Sequence, residues 1–203
     1  MKIRAPYIPI EEIHRKADEF RKKYNGEKIP VDIFYIAEIE LGIEVLPIQD
    51  LQKTLGIDTL ITSSFETIYV DKDQYMNESQ EVRLRFSIAH ELGHFVLHRE
   101  FHSMLNIADL EGYIKYMQDI PREEYFFLEQ HANEFAGRLL VPVDRLHQKV
   151  VESRKRVPSE LLKKEHNGLV ISYMAREIAE EFSVSDDVIE KRINKEKLME
   201  ENG

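Results

Sequence analysis

The sequence predicts an α+β fold that is mostly helical, with a small β-sheet and a C-terminal helix-turn-helix-like helical segment. Three observations carry this prediction. Apolar residues recur at helical spacing in several stretches of the 203-residue chain. Three short runs are rich in β-forming residues. The texture changes near residue 146, which divides the chain into a main domain over residues 1–145 and a helical segment over 146–203 packed on it.

Composition bounds the rest. Hydrophobic residues make up 42% and charged residues 33%, a globular profile. The net charge of −10 and pI of about 5.4 argue against non-specific binding to nucleic acid or to an anionic membrane. Cysteine is absent, so disulfides, thiolate metal ligands and a Cys nucleophile are excluded. The N-terminal residues show no apolar leader, and no apolar run is long enough to span a bilayer. The expected compartment is the cytoplasm.

Taken in order, Ile10, Ile13, Ala17, Phe20 and Tyr24 mark a first helix stopped by Asn25-Gly26. Pro30 and Asp32 open a second, stopped by Gly42. Residues 43–48 form a β candidate, and 51–55 a single helical turn closed by Gly56. Residues 57–62 and 65–70 read as a hairpin turning at Ser63-Ser64. The second of these strands either offers an edge to an extended peptide or belongs to an ordinary hairpin covering the core. Asn77 or Ser79 caps a long helix expected over 81–100. Residues 101–120 lack a clear period and read as a loop with one short helix near 110–117, a candidate cleft wall. Pro121 starts a strong helix at its first position, with Leu128, Ala132, Phe135, Ala136 and Leu139 as the apolar stripe and Pro142 as the end.

The long helix over 81–100 carries His90-Glu91-Leu92-Gly93-His94. Residues four apart share one helical face, so both imidazoles can point at one zinc ion. Glu91 leans toward the open side of that metal, where it can act as general base on the attacking water. A catalytic zinc wants a third protein ligand. His98 extends the row, but on a continuous helix it lies about 12 Å from His90 along the axis. It is therefore expected to be a packed histidine supporting the ligands. Glu129, at the edge of the next helix's apolar stripe, fits better, and Asn133 on the same face could take the spare ring N–H of a ligand His. His131 and Glu134 are alternatives on other faces. Tyr125, His102 and Arg138 are unranked candidates for stabilising the oxyanion. The donor set suits Zn2+, though Mn2+ or Fe2+ can occupy such sites.

The run Arg85-Phe86-Ser87-Ile88-Ala89-His90-Glu91-Leu92-Gly93-His94, with His98 after it, resembles the ImmA/IrrE family of metallopeptidases. So does Glu129-Gln130-His131-Ala132-Asn133-Glu134-Phe135-Ala136, continued by Leu139-Leu140-Val141-Pro142. The resemblance implies a zincin-like fold, His90, His94 and Glu129 as zinc ligands, and Glu91 as general base. It also implies a substrate, a helix-turn-helix transcriptional repressor whose cleavage releases mobile-element, phage or stress-response genes. The alternatives are a non-proteolytic anti-repressor and a DNA-binding regulator built on the same fold.

Beyond residue 146, Arg154-Lys155-Arg156 and Lys163-Lys164 are basic runs, and Asn167-Gly168 reads as a break. Residues 179–185 followed by Ile189 and Ile193 fit a helix-turn-helix pattern, with Ser183 where Gly is usual. Its second helix opens with Asp186, Asp187 and Glu190, which would meet phosphates with like charge. A packing unit is therefore expected, not a DNA reader; Lys191 and Arg192 are the residues such a reader would use.

Overall fold

The structure, a computed structural model, describes residues 4–162 and 167–199. The Lys163-Lys164 run lies outside the described residues. Helix α1 (Ile10–Tyr24) has Glu11 and Glu12 in its first turn and Arg21, Lys22 and Lys23 in its last, matching the helix dipole at both ends. Helix α2 (Ile33–Tyr35) is capped by the Asp32 carboxylate and runs on as a wider π-helical turn over Ile36–Glu40. That widening has no signature in the sequence. Gly42, at φ +67°, then turns the chain into the sheet.

Strand β1 (Glu44–Ile48) leads to a short helix α3 (Leu51–Leu55), then β2 (Thr59–Ile61) and β3 (Thr67–Asp71). The sheet order is β1-β3-β2, with β1 parallel and β2 antiparallel to β3. This corrects the expectation for the edge. The strand just upstream of the motif helix, β3, is central because it pairs with β1 on one side and β2 on the other. The free edge next to the motif belongs to β2.

Helix α4 (Lys72–Tyr75) and a 3₁₀ turn at Glu78–Gln80, capped by Asn77, lead into α5 (Glu81–Leu97). The expected continuation to residue 100 is interrupted: His98 leaves the helical region at φ −121°, ψ 19°, and α6 (Arg99–His102) starts a new turn. Helix α7 (Leu110–Asp119), capped by Asp109, lies where a short helix is expected near 110–117 and runs two residues further. Helix α8 (Arg122–Leu140) has Pro121 as its N-cap, one position earlier than expected. Then follow α9 (Val143–Arg154), α10 (Ser159–Leu162), α11 (Asn167–Phe182) and α12 (Asp186–Lys195). Asn167-Gly168 opens α11 and does not break it.

Helices α5 and α8 form the central pair. They run antiparallel, since His90 meets Asn133 while His94 meets Glu129. One apolar core joins α1, α2, α5, α8, α9, α11, α12 and the sheet, from Ile13 through Phe135 and Met174 to Ile193. A smaller cluster of Leu60, Ile107, Tyr113, Tyr116, Ile120 and Leu128 fills the space beneath α7. Ser183, at φ +51°, makes the turn between α11 and α12, and its carbonyl accepts from buried Arg85. Arg192 is 3% exposed and bonds Glu134 and Glu196, so it faces the protein interior and not an outside partner. Lys191 is exposed and pairs with Asp187 one turn earlier.

Candidate metal centre

The register of α5 against α8 brings three ligand atoms together. Nε2 of His90 and Nε2 of His94 are 3.1 Å apart. The Glu129 carboxylate places Oε2 at 3.3 Å from the first and Oε1 at 3.4 Å from the second. Ligand atoms around a tetrahedral ion at about 2.1 Å are separated by roughly 3.4 Å, so the triangle fits a zinc-sized cation without rearrangement. Among the described residues, this is the group of His, Asp and Glu side chains that could hold a metal ion. Burial lowers the pKa of His90, but the hydrogen bond and charge of Glu129 outweigh it and raise the imidazole to about 9. Burial works the other way on Glu129, and the two imidazoles outweigh it, holding the carboxyl far below its ordinary range.

The supporting partners are specific. His90 Nδ1 donates to Asn133 Oδ1 at 3.0 Å, which leaves Nε2 as the free lone pair. His94 Nδ1 lies 3.1 Å from Nδ1 of His98. His98 is thus one shell away from the ligand triangle, and burial holds its pKa down to about 2. His131 bonds His98, while Glu134 faces the opposite way into a buried ion cluster with His14, Arg192 and Lys195. Neither contributes to the triangle.

Glu91 is 6% exposed and anchored on β2. Thr59 Oγ1 donates to its Oε1 at 2.7 Å, and the Ile61 N–H donates to its Oε2 at 3.0 Å. Each oxygen keeps a lone pair for another donor.

Residues 40–194 match the family model described as Peptidase_M78, IrrE N-terminal-like domain. The chain belongs to this peptidase family. A comparison with curated proteins finds no match. The family match covers every ligand candidate, both antiparallel helices and the sheet edge, so the M78 domain and the His-His-Glu group coincide. Among the described residues, no helix is long and apolar enough to cross a membrane.

In this M78 domain the triangle and Glu91 sit in a cleft of about 390 Å³. Its walls include Thr59 and Leu60 of β2, Tyr113 and Tyr116 of α7, and Tyr125 of α8. Burial pushes the hydroxyl pKa of all three tyrosines upward, so they remain hydrogen-bond donors. His102 also lines the cleft, its pKa held down to about 3 by burial. Arg138 does not. Its guanidinium bonds Asp18 at 2.6 Å and Glu196 at 3.1 Å, outside the cleft lining, which removes it from the oxyanion candidates. Thr59, Tyr113 and Tyr116 escaped the sequence reading. The i, i+3 spacing of the two tyrosines was the available signal, and Thr59 offered none.

Proposed function

We propose that this M78 member is a zinc-dependent endopeptidase that cuts a helix-turn-helix transcriptional repressor, thereby relieving repression of mobile-element, phage or stress-response genes. The observation that carries the peptidase chemistry is the placement of Glu91. It lies on the same helix as two imidazoles of the ligand triangle, in the same cleft, and is fixed by β2. The repressor substrate rests on the ImmA/IrrE resemblance.

His90, His94 and Glu129 would hold the ion, and the same donor set admits Mn2+ or Fe2+. When bound, such an ion supplies Lewis acidity toward a peptide carbonyl and lowers the pKa of water toward 7. Glu91 accepts the proton of the attacking water and returns it to the leaving nitrogen. The Thr59 hydroxyl and the Ile61 N–H hold the Glu91 carboxylate in one orientation throughout. Tyr113, Tyr116, Tyr125 and His102 are the donors lining the cleft around a developing oxyanion. Strand β2 stands at the sheet edge, and with its Ile61 N–H taken by Glu91 an extended peptide would pair by β-augmentation with its remaining outward backbone groups. Nucleic acid has no assigned place in this scheme.

The test is cleavage of a candidate repressor by the purified protein, with and without chelator, beside Glu91→Gln. Glu91→Gln should retain metal and lose roughly 10²–10⁴-fold in rate, the range of a general base. If Glu91→Gln relieves repression in cells as well as wild type does, proteolysis is not the mechanism and the chain acts by sequestering its partner.

A further inference from the structure

Behind the ligand triangle runs a second row of imidazoles that the proposed chemistry does not use. His98 is 1% exposed, and both of its ring nitrogens meet other histidines. Its Nδ1 lies 3.1 Å from Nδ1 of His94, and its Nε2 lies 3.3 Å from Nδ1 of His131. His131 sits half-buried on α8, so the row leads from the ligand triangle toward the surface.

Each contact between two ring nitrogens needs one N–H and one lone pair. This makes the row directional. If His94 gives Nε2 to a metal, its one N–H is on Nδ1 and must donate to His98. His98 then carries its proton on Nε2 and donates to Nδ1 of His131. His131 is left with its proton on Nε2. Metal-binding histidines usually donate to a carboxylate, a carbonyl or a water at this point. Here a buried neutral ring takes that place. A purely packing side chain at residue 98 would not need two polar atoms, each costly to bury unless bonded.

We infer that His98 and His131 are positioning residues for His94, a two-imidazole chain that fixes the tautomer and ring orientation in which His94 can bind metal. This rests on the proposed His90–His94–Glu129 metal centre.

The experiment measures Zn2+ affinity of the full chain by competition with a chromophoric chelator. The proteins are wild type, His98→Leu, His98→Asn and His131→Ala, each with its metal-free thermal midpoint recorded. His98→Leu should lower affinity about 10–100-fold, the usual cost of losing such a partner. His98→Asn should recover most of that loss, because its Oδ1 can accept where Nδ1 did. Half-buried His131→Ala, which leaves the core intact, should show a smaller loss in the same direction. Nitrogen-detected NMR of zinc-loaded wild type should find protons on Nδ1 of His94 and on Nε2 of both His98 and His131. Unchanged affinity in both His98→Leu and His131→Ala, or a proton on Nδ1 of His98, overturns the inference alone. Wild type that binds no zinc overturns the metal centre, and the inference with it.

Discussion

Gly93→Ala tests whether the approach of α5 to α8 sets the ligand triangle. Gly93 lies inside α5, between the two motif histidines, and is buried. A Cβ there would meet Ala132 Cα at 3.0 Å, its carbonyl oxygen at 3.1 Å and its Cβ at 3.3 Å. Carbon atoms prefer about 3.5–4.0 Å, so the helices must part by roughly 0.5 Å or more. Two effects compete. Replacing a mid-helix Gly by Ala gains about 0.8–1 kcal/mol of helix propensity. Overpacking against backbone costs typically about 1–3 kcal/mol. The net for the metal-free protein is a loss of about 0–2 kcal/mol, read by urea denaturation. Metal binding should suffer more, because His90 and His94 ride on one helix and Glu129 on the other. Ligand distances tolerate about ±0.2 Å, so zinc affinity should fall at least about tenfold. Gly137→Ala is the control: its Cβ would meet only the Arg192 side chain, at 3.4 Å, an ordinary van der Waals contact. It should leave zinc binding unchanged and stability equal or higher. Wild-type zinc affinity in Gly93→Ala would refute the reasoning, since the triangle would then not depend on the helix spacing.

Further expectations follow from the same geometry. Glu129→Ala should abolish tight metal binding, whereas Glu134→Ala should keep the metal and cost about 3 kcal/mol of stability. That is the lower end for breaking a buried ion pair, since Arg192 retains Glu196; metal analysis and denaturation separate the two variants. Thr59→Val removes the hydroxyl that holds Glu91, so turnover should fall roughly 10–100-fold, the equivalent of about 1.5–3 kcal/mol for a hydrogen bond to a charged group. Metal affinity should stay intact, Thr59→Ser should restore the rate, and a Thr59→Val rate equal to wild type would separate Thr59 from the base. His102 has a folded pKa of about 3 against an ordinary histidine value of 6.5, so the unfolded chain takes up the proton first as pH falls. Its contribution is fully present above pH 6.5 and is lost toward pH 3, at up to about 1.4 kcal/mol per pH unit. Midpoints of the metal-free protein between about pH 7 and pH 4 should show this slope, reduced in His102→Phe.

Much of the site was legible because it is helical. The 3.6-residue period fixes which residues share a face, and so His90 and His94, and Glu129 and Asn133, could be paired from spacing alone. The parts that escaped depend on contacts between elements distant in the chain. Residues 94–98 contain no Gly or Pro to mark the break at His98; that ring ends up between His94 on α5 and His131 on α8. The edge role passed from β3 to β2 because β1 pairs in parallel with β3, a non-local choice that alternation within a strand does not encode. Arg192 looked like a surface cation in sequence, and only the docking of α12 on α8 shows it buried against Glu134.

The same dependence explains why the site residues cluster as they do along α5 and α8. In an antiparallel pair, a one-residue slip of α8 would turn Glu129 by about 100° off the shared face and move it about 1.5 Å along the axis. Glu129 would then leave the triangle and Asn133 would leave His90. Gly93 against Ala132 opposes such a slip at a close approach of the two helices between the two histidines. A bound cation would add a second lock, since it ties both helices through three side chains. Strand β2 then fixes Glu91 from the side, through Thr59 and Ile61, independently of α8. The proposed ligands and the proposed base are therefore held by different neighbours. Zinc affinity should answer to α8, and turnover at constant zinc affinity should answer to β2.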